Sequence, residues 1–95
     1  MFRCKITLRR PEDTANEMKR FQSSLSRSGL PTAASEALWS QVMTALQQFE
    51  DQMTLRYMKA LSADRVFEGD DYRVVISVRQ GPIGVISKIA NLFRG

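Results

Sequence analysis

The sequence predicts an α+β fold of two layers: a three-stranded mixed sheet in the order β-α-α-β-β-α, with a long helix and a helical hairpin packed on one face. Two segments near opposite ends, Phe2–Arg9 and Tyr72–Arg79, alternate at a period of two, while the chain between them follows a helical period. In the first, Phe2, Cys4, Ile6 and Leu8 share one side and Arg3, Lys5, Thr7 and Arg9 the other, because successive side chains of a strand point oppositely. In the second, Tyr72, Val74, Ile76 and Val78 oppose Arg73, Val75, Ser77 and Arg79. Placed side by side, these strands would offer solvent a face with five cations and no carboxylate.

The middle of the chain reads as two helices. Pro11–Ser28 begins with Pro11, Glu12 and Asp13, which suit the first turn and the positive end of the helix dipole, and carries a thin stripe of Met18, Phe21 and Leu25. Gly29, Leu30 and Pro31 form a stop signal, after which Thr32 or Ser35 can cap the next helix. From Thr32 to Glu68 there is neither glycine nor proline. Leu38, Trp39, Val42, Met43, Leu46, Phe49, Met53, Tyr57, Ala60 and Leu61 fall within an arc of about 140° at helical pitch. A helix from Thr32 to about Ser62 would be roughly 45 Å long, against about 32 Å for a compact globule of this size. Its distal half must overhang or bend. Leu55 and Met58 lie off the main stripe there, either as an apolar flank for a second molecule or as a contact with the first helix.

Arg65–Phe67 is a short strand candidate, and Glu68-Gly69-Asp70-Asp71 is a polar turn leading into the strong strand from Tyr72. Gly81 and Pro82 end that strand, and residues from about 83 to 94 form an amphipathic segment with Lys88 and Arg94 on its polar half. Two antiparallel helices return the chain to the same end of the sheet, so the last strand should run parallel to the first. Val75 interrupts its polar alternation, which places that strand in the centre. The first strand is then an exposed edge, where Arg3, Lys5 and Arg9 also serve to deter stray pairing.

Residues 1–95 suffice for one domain and one core. Met1 leads directly into a charged strand, and no apolar run reaches the roughly 20 residues that span a bilayer, so the expected location is cytoplasmic. Charge is uneven: residues 1–10 and 72–95 each carry four cations and no acid, whereas residues 11–71 hold six cations against ten carboxylates. Such asymmetry suggests an anionic partner.

Catalysis is hard to assemble from these residues. Without histidine there is no near-neutral proton shuttle and no Cys-His or Ser-His-Asp arrangement, and the lone Cys4, on the apolar side of its strand, is expected to be buried and inert. No cofactor or metal is expected. Glu68, Asp70 and Asp71 read as a solvated turn rather than a Ca²⁺ loop, and Gly81-Pro82-Ile83-Gly84 lacks the lysine and spacing of a phosphate loop. The sequence therefore points to a non-catalytic protein-interaction module: an adaptor, an inhibitor or a small subunit of a larger complex. Its expected contact residues are Arg3, Lys5, Arg9, Arg73 and Arg79 on the sheet, with Leu55 and Met58 on the long helix, facing an acidic protein or a second copy of the chain. Two alternatives stand beside it. The cationic face could hold a nucleic-acid backbone, although it has no ring on which to stack a base, and residues 83–94 could attach to an anionic membrane surface.

Overall fold

Strand pairing organises the chain around its last strand. The computed structural model describes residues 1–57 and 59–81 as β1 (Phe2–Leu8), α1 (Asp13–Ser26), α2 (Thr32–Leu55), β2 (Leu61–Glu68) and β3 (Tyr72–Gln80). The sheet order is β1-β3-β2, with β1 parallel and β2 antiparallel to β3. The α+β class, the mixed sheet and the central place of β3 agree with the sequence expectation. Met58 and the expected C-terminal helix over about 83–94 lie outside the described residues.

Alternation decides which face is buried. Ile6, Leu8, Val74, Ile76 and Val78 are fully buried beneath the helices, where they meet Phe21 and Leu25 of α1 and Leu38, Val42, Leu46, Phe49 and Met53 of α2. Phe21 stands between two rings, 6.3 Å from Phe2 and 6.2 Å from Trp39, the latter pair nearly parallel at 12°. Truncating such a residue to alanine costs about 3–5 kcal/mol, so Phe21 is the principal link between α1, α2 and β1.

Short polar contacts fix the corners. Asp13 opens α1 by turning its carboxylate back on the chain, and Oδ2 accepts hydrogen bonds from the N–H groups of Arg9 and Arg10, both at 2.9 Å. After α1, Gly29 takes φ +76°, the left-handed region that other residues adopt only at a cost. In the β2–β3 turn a Cβ on Gly69 would lie 2.6 Å from the Tyr72 ring, so only glycine lets the ring lie across the hairpin.

The far end of α2 departs from expectation. The helix stops at Leu55 rather than near Ser62, and β2 covers Leu61–Glu68 rather than Arg65–Phe67. Stopping there buries neither Tyr57, which is 70% exposed, nor Ala60, so their place on the helical stripe does not reflect a core position. Strand formation instead gives Leu61 through Glu68 a continuous ladder along β3. Gln80 marks the change: its buried amide donates to the carbonyls of Met53, at 3.2 Å, and Arg56, at 3.3 Å. The Met53 carbonyl at the helix end thus finds a donor on the central strand, and the Arg56 carbonyl, which also accepts from the Lys59 N–H, shares it.

Two predictions follow from these corners. Gln80→Glu replaces the donor with a carboxylate facing two carbonyl oxygens; urea denaturation should show a loss of about 2 kcal/mol at pH 7. The new carboxyl should titrate above its ordinary range, so the deficit should shrink as acid protonates it. Asp13 behaves oppositely. Partial burial pushes its pKa up, but the Arg9 and Arg10 N–H groups and the Arg10 guanidinium outweigh this and hold it below the ordinary value. Its contribution is therefore fully present above the unfolded pKa of about 3.9 and is lost as pH falls through the lower folded value. Asp13→Asn should unfold at lower urea than the parent at pH 7, and the two midpoints should converge in acid.

Candidate interaction surface on the open sheet face

Every residue on the uncovered face is placed by the register that buries its neighbours. Three cross-strand rows run from β1 through β3 to β2: Arg3, Arg73 and Glu68; Lys5, Val75 and Val66; Thr7, Ser77 and Asp64. A fourth pairs Arg79 with Ser62. The rows enclose a shallow concavity of about 600 Å³, with Val75 and Ser77 at its base and Arg3, Lys5, Asp64 and Arg79 around it.

The face expected to lack carboxylates carries two of them, because β2 is longer than its sequence signal. Glu68 lies 2.7 Å from Arg73, and Asp64 lies 2.9 Å from Arg79. The Ser77 hydroxyl and then the Arg79 guanidinium hold the Asp64 carboxyl below its ordinary pKa, with a smaller contribution from Lys5. Of the expected contact residues, Arg73 and Arg79 are therefore neutralised locally. Arg3 and Lys5 form no ion pair among the described residues. Arg3 stands opposite Arg73 in register, a like-charge juxtaposition that disfavours pairing. Arg9 lies beyond the end of β1, exposed, with its N–H committed to Asp13. Leu55 is 86% exposed at the end of α2, so it packs on neither α1 nor the sheet. It belongs to the helix layer and does not join the open face.

The two edges differ. Phe2 donates its N–H to Asp71, so even-numbered residues of β1 turn their backbone toward β3 while Arg3, Lys5 and Thr7 turn theirs outward. One of these outward groups is already engaged: Nη2 of Arg20, from α1, donates to the Lys5 carbonyl at 2.7 Å, while its Nε is held by Glu17 at 2.8 Å. On the other side, Gly69 donates to Tyr72, which sets the hairpin phase so that Ser62, Asp64, Val66 and Glu68 turn their backbone groups away from β3. No described residue bonds to them. Both flanking strands are edges, as the sequence reading expected of β1, but among the described residues only β2 leaves every outward backbone group without a bond. Its centre, Asp64-Arg65-Val66, is exposed at all three residues.

Arg65 sits on the helix side of β2, where Nη1 donates to Gln48 at 3.2 Å and the guanidinium lies 5.5 Å from the Phe67 ring. Its stem spans the sheet margin while its charge reaches α2. Cys4 is half-buried on the same side of the sheet. Burial raises its pKa, Arg20 opposes the shift and Glu17 adds to it, which keeps the thiol protonated at neutral pH.

Among the described residues no three histidine, cysteine, aspartate or glutamate side chains converge as metal ligands, and no helix is long and apolar enough to cross a membrane. No protein-family model, curated protein or solved structure matches the chain.

The face electrostatics can be read directly. Ser77→Ala and Arg79→Gln should each raise the Asp64 pKa toward its ordinary value, both followed by NMR titration of the side-chain carboxyl. An unchanged titration in both variants would mean that the rows do not couple as described.

Proposed function

We propose that the protein is a non-catalytic interaction module, an adaptor, inhibitor or small subunit of a larger complex, that takes a partner protein onto the β2 edge and the adjoining open face. The observation that carries this reading is the unpaired edge itself: Ser62, Asp64, Val66 and Glu68 hold their outward N–H and C=O groups in strand geometry with no bond from any described residue. An extended segment added there gains main-chain hydrogen bonds, each worth about 0.5–1.5 kcal/mol net, and side-chain pockets on alternate residues supply selectivity.

The face adds a charge preference. From β2 to β1 is about 10 Å, two strand spacings, so a segment leaving the added strand can cross Val75 and place carboxylates beside Arg3 and Lys5. An acidic partner segment fits this arrangement. The exposed Leu55 at the end of α2 offers a separate apolar contact on the helix layer. A phosphate backbone is the second reading, favoured by the facing Arg3 and Arg73, which a shared anion would relieve.

The test is affinity capture from the native host at physiological salt, with nuclease-treated and untreated arms. A protein partner should survive nuclease and be lost with Val66→Pro. Val66 turns its N–H away from β3, so proline there spares the β2–β3 ladder while blocking an added strand. Arg3→Glu with Lys5→Glu should weaken capture by tenfold or more, on the order of 1.4 kcal/mol, with circular dichroism unchanged. Leu55→Asp separates a contribution of the helix end from that of the sheet. Capture of the partner by all of these variants at parental levels would reject the surface, and capture of nucleic acid alone would establish the second reading.

A further inference from the structure

The two edges of the sheet match one another, and one arginine stands between them. We propose that β2 of one copy is complementary to β1 of a second copy, and that Arg20 keeps the protein from extending its own sheet in this way, leaving β2 free for a foreign strand. The inference shares the β2 edge with the proposed function and needs nothing else from it.

The geometry starts with strand direction. β1 runs parallel to β3 and β2 runs antiparallel to it, so a copy displaced sideways along the sheet brings its β1 antiparallel to β2 with the open faces on the same side. The outward backbone groups also correspond. In the unshifted register Arg3, Lys5 and Thr7 of the second copy lie opposite Glu68, Val66 and Asp64, all of which turn their hydrogen-bonding groups toward the junction.

The side chains of the open face agree with this register. Each row of the open face that begins at Arg3 or Thr7 ends on an acid, so joining rows end to end sets Arg3 beside Glu68 and Thr7 beside Asp64, with Lys5 between the two carboxylates on the diagonals. On the helix side, Cys4 meets Phe67 and Leu8 meets Ala63, while Ile6 between them meets Arg65, so the apolar match there holds at the ends of the junction and not at its centre. Pairing β2 with itself about a two-fold axis is less favourable. The registers that bring its outward groups together place Asp64 against Asp64, Arg65 against Arg65, or Asp64 against Glu68. Charge therefore selects the β1–β2 junction, which is heterologous and does not close, so its product is an open chain rather than a dimer.

Arg20 occupies the place the neighbour would need. Its Nη2 lies 2.7 Å from the Lys5 carbonyl, the middle outward acceptor of β1, whereas an added strand would run about 4.8 Å from the β1 backbone. Glu17 fixes the guanidinium from the preceding turn of the same helix, so the block is held in place rather than swinging free.

Arg20→Met removes the guanidinium and keeps much of the aliphatic stem. Sedimentation velocity over a concentration series should show the parent protein unchanged and the variant growing past dimer mass. The growth should diminish with salt and disappear when Val66→Pro or Glu68→Lys is added. A variant that stays monomeric with an unchanged circular dichroism spectrum overturns the proposal, as does growth that Val66→Pro leaves intact. Should Arg20→Met not fold, a synthetic peptide of residues 1–9 probes the same edge on the parent protein: NMR shifts at Ser62, Asp64, Val66 and Glu68, absent in Val66→Pro, support complementarity, and no shifts reject it. Loss of self-association with retention of a captured partner would leave the proposed function standing, and the converse would leave this inference standing.

Discussion

The structure depends on keeping β3 paired along both edges and covered on one face. Val74, Ile76 and Val78 are each fully buried, and burying a side chain of this kind contributes about 1.5–3 kcal/mol. A slip of one residue against either neighbour would exchange these three for Arg73, Val75, Ser77 and Arg79 and drive two arginines into the helix layer. That penalty fixes the register, and the register places every charge on the open face. The ion pairs of Arg73 with Glu68 and of Arg79 with Asp64 are thus consequences of core burial. Being exposed, they add little stability themselves but determine which cations remain free.

The helices are bound to this sheet at its corners as well as through the core. Asp13 closes the exit of β1 and Gln80 closes the end of α2, each by giving backbone groups a partner where regular structure stops. The two devices answer the same requirement in opposite senses. A carboxylate gathers N–H groups at the start of a helix, and an amide donates to carbonyls at the end of one. Because Gln80 belongs to the central strand, α2 cannot lengthen without giving up a contact to the element that organises the fold.

How much of this the sequence reveals depends on whether a signal is local. Both β1 and β3 are legible because each alternates without a break on its buried side. The extent of β2 is not, since Arg65 occupies a buried-side position where only its contacts with Gln48 and Phe67 make it acceptable. Without glycine or proline nearby, Ala60 and Leu61 also extend the helical stripe of α2, and the competition is settled by pairing with β3, a partner distant in sequence. The carboxylates on the open face are hidden in the sequence for the same reason. Arg20 is less legible still: on a helical wheel it is one more polar residue, and its role exists only once α1 lies over the margin of β1.

Under the proposed function, the inequality of the two edges is what matters. A sheet with two open edges of opposite charge would be its own best partner, and the heterologous junction would propagate. Closing both edges would prevent that and leave no strand for recognition. A guanidinium on the Lys5 carbonyl obstructs the middle of one edge with a single side chain, while on the other the outward backbone groups of Ser62, Asp64, Val66 and Glu68 have no bond from any described residue. The net charge of +4 is then a poor guide to binding. The open face presents a gradient from Arg3 and Lys5 on β1, cations unpaired among the described residues, past valine and serine on β3, to the carboxylates Asp64 and Glu68 on β2 already shared with arginines. Backbone groups would supply affinity at the β2 edge, and the gradient would set which sequences can use it.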